Sequence, residues 1–175
     1  MNFQTFEQHA LAVVEFVRAN QGWAPLIVGL LAFGESLAFI SLLIPATVAL
    51  VGIGALVGAS GISFFPIWLA AGIGAALGDW VSYWVGLKFE EPVAKVWPLS
   101  RYPDLVPSGH AFVEKYGIYA VFIGRFFGPF RAVVPLVAGI LEMPFWPFQV
   151  ANFTSAFLWA TVLLAPGWLG LKMLF

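Results

Sequence analysis

Four ionisable side chains stand inside otherwise apolar sequence: Glu35, Asp79, Arg125 and Arg131. Arginine presents a planar fork that binds phosphate or carboxylate through two parallel N–H bonds. A carboxylate beside it competes for that fork and, by taking up a proton, releases it. A charge left alone at the centre of a bilayer costs about 2.5–3.5 kcal/mol on insertion scales, so these four would together cost on the order of 10 kcal/mol. Two acids and two bases sum to zero, and mutual pairing is the direct resolution. Glu35 is the one charge between Arg18 and Asp79, so its partner has to come from elsewhere in the fold. Two readings follow. In the first, the acids neutralise the arginines and lock two parts of the chain together. In the second, the arginines grip an anionic headgroup and the acids titrate or exchange partners as the substrate moves. Gly128 and Pro129 interrupt the sequence between the arginines, and a half-helix starting there would add free N–H donors for the same anion. Tyr83 lies one helical turn from Asp79 and is placed to hydrogen-bond its carboxylate.

Other chemistries find little support. There is no cysteine, and the two histidines, His9 and His110, are far apart, so neither a metal site nor a cofactor is expected. No Ser/His/Asp set suggests an intramembrane hydrolase, and the chain is not expected to be an enzyme. A net charge of −1 argues against nucleic acid as a partner, since a phosphate backbone demands a basic face.

The elements that hold the four charges must lie in a membrane. Only 10% of the 175 residues are charged and 61% are hydrophobic, against about a quarter charged in soluble domains. Four apolar blocks, Trp23–Gly58, Phe64–Leu87, Tyr116–Leu141 and Phe145–Gly170, are each long enough for a bilayer core of ~30 Å. The second and fourth read as uninterrupted crossings. The first is broken near Pro45, and the third at Gly128-Pro129 and Pro135. Eight charges and four prolines gather between Lys88 and Lys115, which marks an extramembrane connection with room for one short helix. Glu142 reads as a solvated cap in a turn. Residues 1–20 carry Phe3, Phe6, Ala10, Val13, Val14 and Val17 on one helical face, as an amphipathic helix in the headgroup region does; no basic leader marks a signal peptide.

Blocks one and three share a plan. Gly34-Glu35 is followed ten residues after the Glu by Pro45, and Gly124-Arg125 ten residues after the Arg by Pro135. Phe64-Phe65-Pro66 opens the second block, Phe145-Trp146-Pro147 the fourth. The chain divides into residues 1–20 and a single membrane domain over 21–175, with a first repeat at 21–87, the polar connection at 88–115 and a second repeat at 116–175. Paired, interrupted apolar segments in two halves point to a transporter's central site. If each broken block dips in and returns, the repeats are inverted; if each crosses fully, they are parallel. Lys/Arg counts of one, zero, four, zero and one along the connections fit four full crossings with the 88–115 connection cytoplasmic. On the second crossing, Gly74, Gly78, Ser82 and Gly86 form a small-residue stripe suited to close helix approach.

Phe33-Gly34-Glu35 with Pro45, Gly78-Asp79-x-x-x-Tyr83-x-x-Gly86, Gly124-Arg125-Phe126-x-Gly128-Pro129-x-Arg131 and Pro135-x-x-Ala138-Gly139, in this order, resemble the DedA family, bacterial relatives of the eukaryotic VTT-domain scramblases. The resemblance spans about Phe33 to Gly170. It implies an all-α polytopic bundle with two re-entrant hairpins facing each other in an inverted repeat, set in the bacterial inner membrane. It also implies lipid translocation: members are similar to undecaprenyl-phosphate flippases and phospholipid scramblases, several linked to the proton motive force. Glu35, Arg125 and Arg131 match the family's functional acid and arginines. Many members carry Pro-Gly-Asp or Pro-Gly-Glu where this chain has Pro45-Ala46-Thr47; the hydroxyl of Thr47 can donate to phosphate but cannot take up and release a proton near neutral pH as a carboxylate can. Relatives usually add a crossing helix beyond the position of Phe175. The expected function is movement of a phosphate-bearing lipid between leaflets, with Arg125, Arg131, Glu35, Asp79, Tyr83 and Thr47 at the substrate and Pro45, Gly128, Pro129 and Pro135 as backbone breaks. An anionic lipid is the expected partner, protons a coupled ion, and a homo-oligomer stays open. The alternative is a proton- or ion-coupled transporter of a small solute.

Overall fold

The computed structural model describes residues 19–38, 47–89, 99–101 and 103–172; the side chains of residues 47–49, 99, 129 and 170–172 are not among those described. The interfacial helix expected over residues 1–20 falls, but for its last two residues, outside them, as do Pro45 and the side chains of Thr47 and Pro129. The described residues form helices α1 (Ala24–Ser36), α2 (Thr47–Ser60), α3 (Phe64–Phe89), α4 (Leu105–Tyr116), α5 (Ile118–Gly124), α6 (Gly128–Ile140) and α7 (Phe145–Lys172), with a 3-10 turn at Leu99–Arg101. Two of them, α3 and α7, are long and apolar enough to cross a membrane. Their 26 and 28 residues reach about 39 and 42 Å, whereas the 13, 14 and 13 residues of α1, α2 and α6 reach only about 20 Å.

The long helices lie antiparallel. Phe64 meets Trp168 with ring centroids 4.9 Å apart, Trp68 meets Phe157 at 4.9 Å, and Tyr83 stacks on Phe148 at 4.2 Å, so rising numbers on α3 face falling numbers on α7. Helix α1 runs beside α3 in the same direction, with Gly29 against Ala70 and Gly78 against Phe33 and Ser36. Helix α2 runs beside α7 in the same direction, with Gly54 against Leu164 and Gly58 against Trp168. Helix α6 lies on α3, where Gly86 meets Leu136 and Gly139 meets Tyr83 and Leu87. Each half thus lays one short helix on the long helix of the other half.

Glycine makes these contacts feasible. A Cβ on Gly74 would collide with the carbonyl oxygen of Gly29, one on Gly86 with that of Leu136, and one on Gly139 with that of Tyr83. Bare backbone lets dispersion contacts hold helices together where lipid tails remove the hydrophobic drive. The small-residue stripe of α3 serves two partners: Gly74, Gly78 and Ser82 face α1, and Gly86 faces α6. Ser82 Oγ accepts the Ala38 N–H at 3.0 Å and donates to the Gly78 carbonyl at 3.1 Å. It thereby ties α3 to the end of α1, where Leu37 turns extended.

Outward, Leu69, Ile73, Leu77 and Val81 leave an apolar face along α3 that suits lipid rather than water. Trp23 and Phe65 are exposed at one end of this layer, Trp84 and Trp146 at the other, the arrangement of two interfacial aromatic belts.

The third apolar block breaks over Arg125–Phe127, between α5 and α6. Pro135 does not break it, which corrects the expectation from sequence: α6 is continuous through that residue. Proline forfeits the N–H bond to the residue four positions back and crowds its carbonyl. Neighbouring helices make that tolerable, and here Ala132, Val133, Val134, Leu136 and Val137 are all buried around it. The first block is likewise divided, α1 stopping at Ser36 and α2 starting at Thr47. Within the polar connection, α4 buries Val106, Gly109 and Val113, and Gly109 faces Val133 and Val137 of α6. Glu142 is exposed, at φ 50° in the turn closing α6; there the Met143 N–H reaches back to the Ala138 carbonyl at 2.9 Å, a helix stop that usually uses glycine.

Candidate functional site

Asp79 is the sixteenth residue of α3, about 22 Å from its start and 15 Å from its end. Burial there, with no water to hydrate a charge, demands a partner. Arg125 comes from the α5–α6 break and donates through Nη2 to Asp79 Oδ2. The same Nη2 donates to Asn152 Oδ1 at 2.7 Å, and Nε donates to Ser155 Oγ at 3.0 Å. Arg131, the fourth residue of α6, donates through Nη1 to Glu35 Oε1 at 2.6 Å and through Nη2 to Ser36 Oγ at 3.3 Å, both at the end of α1. Its guanidinium carbon lies 4.1 Å from the ring centroid of Trp159, a cation–π seat on α7. Relative exposures are 2% for Asp79, 3% for Arg125, 4% for Glu35 and 7% for Arg131. All four therefore sit inside the protein rather than reaching to either surface.

The pairing is crossed: both acids come from the first half of the chain, both arginines from the second. It is also incomplete. Asp79 Oδ1, Arg125 Nη1 and Arg131 Nε are buried with no hydrogen-bond partner among the described residues. Guanidinium groups favour two-pronged contact with carboxylate, yet Asp79 meets Arg125 through one oxygen. Both arginines thus keep donors unused among the described residues. Helix α6 starts just beside them at Gly128, and no side chain caps it; an uncapped helix start carries unsatisfied N–H groups and partial positive charge.

Of the residues singled out from sequence, the fold brings Glu35, Asp79, Arg125 and Arg131 together and sets Gly128 at the adjoining break. Tyr83 is a correction: its hydroxyl donates to the Met143 carbonyl at 2.6 Å and not to Asp79. Stacking on Phe148 points the ring toward the α6–α7 turn. Pro135 lies within α6 and is no break. Residues missed from sequence are Asn152, Ser155, Gln149, Ser36 and Trp159. A signal was there: Gln149, Asn152 and Ser155 recur at every third position of the last apolar block, one polar seam on a helix otherwise facing lipid and core. Asn152 Nδ2 extends that seam to α3 through the Ala76 carbonyl at 2.9 Å and along α7 to Gln149 Oε1 at 3.1 Å.

The VTT domain family model matches residues 44–169. The chain is similar to the inner membrane protein YabI of Escherichia coli, 36% identical over 152 residues that make up 87% of this chain and 60% of that protein. It is also similar to an uncharacterized membrane protein of Buchnera aphidicola, 32% identical over 155 residues (89% and 60%), and to one of Synechocystis, 35% identical over 138 residues (77% and 62%). The chain spans about 60% of the length of these curated relatives. No solved structure matches it. With a family match over more than half of its residues and relatives of this identity, the chain belongs to the VTT-domain, or DedA, family of membrane proteins and sits in the bacterial inner membrane.

Proposed function

We propose that this chain moves a phosphate-bearing lipid, of the undecaprenyl phosphate or phospholipid class, between leaflets without making or breaking a covalent bond. The observation that carries this reading is the buried pair of arginines, crossed between halves, with Arg125 Nη1 and Arg131 Nε unbonded among the described residues. A phosphate headgroup offers several acceptor oxygens to such donors. Its entry would displace Asp79 from Arg125 and Glu35 from Arg131, and its exit would restore both pairs, so the interior returns to neutrality at each end of the passage. Proton uptake by the displaced acids is the natural coupling, because it offsets the charge they leave unpaired.

The proposed architecture is an inverted repeat of two re-entrant hairpins, α1–α2 and α5–α6. Two facts support it. Helices α1, α2 and α6 are too short to cross, and α1 starts beside the start of α3, the end to which α2 returns the chain. The two long helices are antiparallel, and each carries a short helix from the other half, as a two-fold axis in the membrane plane requires. Both hairpins would then bring their broken ends to the middle, where open backbone is tolerated only beside protein or a polar cavity.

Reconstitution tests the function. Arg125→Ala and Arg131→Ala should each abolish inter-leaflet movement of labelled phosphatidylglycerol in phosphatidylcholine vesicles, while circular dichroism and size-exclusion profiles stay those of the parent. Exchanging the charges, Glu35→Arg with Arg131→Glu, should also stop movement. Parental rates in the two alanine variants, or full activity after the exchange, would leave the pairs as a lock and overturn the transport reading.

A further inference from the structure

The contacts of Arg125 divide by charge. Asp79 is its ionised partner. Asn152 and Ser155, both fully buried on α7, are neutral partners that hold Nη2 and Nε. Asn152 is itself fixed from behind, because its Nδ2 donates to the Ala76 carbonyl on α3 and to Gln149 Oε1. Ser155 is fixed by donating to the Asn152 carbonyl at 3.0 Å. An arginine held by a carboxylate alone would swing away once an anion displaced that carboxylate. One held by neutral groups from a second helix keeps its place and its full positive charge.

We propose that Asn152, supported by Ser155, is the positioning residue that keeps Arg125 in the site while Asp79 is exchanged for a phosphate oxygen. This deepens the lipid reading above and rests on it. Asn152 binds no substrate in this scheme; it fixes Nη2, so that Nη1, which has no partner among the described residues, stays turned to the incoming anion. Asparagine suits the position because it accepts from Arg125 and donates to Ala76 at once. An aspartate there would keep the acceptor, lose the donor to Ala76 and add a competing charge. Leucine, its apolar near-isostere, would remove both bonds.

The test is a cycle of variants of the full chain, read by native mass spectrometry as retention of phosphatidylglycerol over phosphatidylcholine. Asp79→Asn should retain phosphatidylglycerol better than the parent, because the competing charge is gone while Asn152 still holds the arginine. Asn152→Leu should lower retention roughly tenfold, and the double variant should lose it, so that the two changes are strongly non-additive. Asn152→Asp should lose it roughly tenfold. Adding Asp79→Asn, which removes one of the two competing carboxylates but does not repair the lost bond to Ala76, should recover most of it, a result that a purely structural asparagine would not give. Should Asn152→Leu fail to fold, the aspartate variant carries the test alone. Parental retention in Asn152→Asp, or equal retention in Asp79→Asn and its double variant with Asn152→Leu, overturns the anchor. No preference for phosphatidylglycerol in the parent removes the anion site and the anchor with it. If the cycle behaves as expected while parental vesicles show no lipid movement, the transport reading fails and the anchor stands.

Discussion

An arginine taken out of water must exchange its hydration for protein acceptors, and a partner removed from a buried pair leaves a charge costing about 3–5 kcal/mol. Arg125 and Arg131 meet that demand with one carboxylate contact each plus neutral or aromatic neighbours, Asn152 and Ser155 for the first, Ser36 and Trp159 for the second. Among the described residues donors are left over, which a purely structural lock has no need to keep. Tyr83 marks the border of the site. Its bond to the Met143 carbonyl fastens α3 to the α6–α7 turn, so Tyr83→Phe should cost about 1 kcal/mol of stability and leave lipid movement unchanged. Thermal unfolding together with vesicle assays checks this; lost movement at full stability would return Tyr83 to the substrate path.

At the scale of elements, glycine takes the role that large apolar side chains have in a soluble core. The contact of α6 with α3 places Gly86 against the Leu136 carbonyl and Gly139 against that of Tyr83, so added volume has nowhere to go but into backbone. Gly86→Ala should therefore destabilise by about 1–3 kcal/mol. Gly52 lies on a short helix of the same kind, α2, but a Cβ added there would meet nothing within 4 Å. Gly52→Ala should stabilise by up to about 1 kcal/mol through its better helix propensity. Opposite signs in thermal unfolding of the purified protein bear out the packing; equal signs contradict it. The stripe on α3 announces close approach in the sequence itself. Which helix meets which glycine is not written there, because period-four spacing describes one surface and says nothing of its partner.

For the whole molecule, the two topologies differ in a measurable way. With re-entrant hairpins, the α2–α3 connection and the α6–α7 turn lie on opposite faces, since α3 and α7 are antiparallel and each connection sits at the start of one of them. With four full crossings they lie on one face. The chain has no cysteine, so Ser63→Cys and Glu142→Cys can be labelled singly by an impermeant reagent in cells and in inverted vesicles. Residue 63 should react from the periplasmic face and residue 142 from the cytoplasmic face, the face of the 88–115 connection. Reaction of both from one side would contradict the inverted repeat.

What the sequence determined by itself follows from quantities local to a stretch of chain. Composition demands a membrane, two uninterrupted apolar runs give α3 and α7, and four isolated charges that sum to zero demand one another. Tertiary structure decided which acid takes which arginine, because that depends on the crossing of helices from different halves. It also decided that Asn152 and Ser155 rather than Tyr83 complete the Arg125 site, since α7 brings them there from 27 and 30 residues away while the Tyr83 ring is claimed by Phe148. Pro135 shows the same division: its ring signals a break in any isolated helix, and only the buried neighbours around it carry α6 through without one.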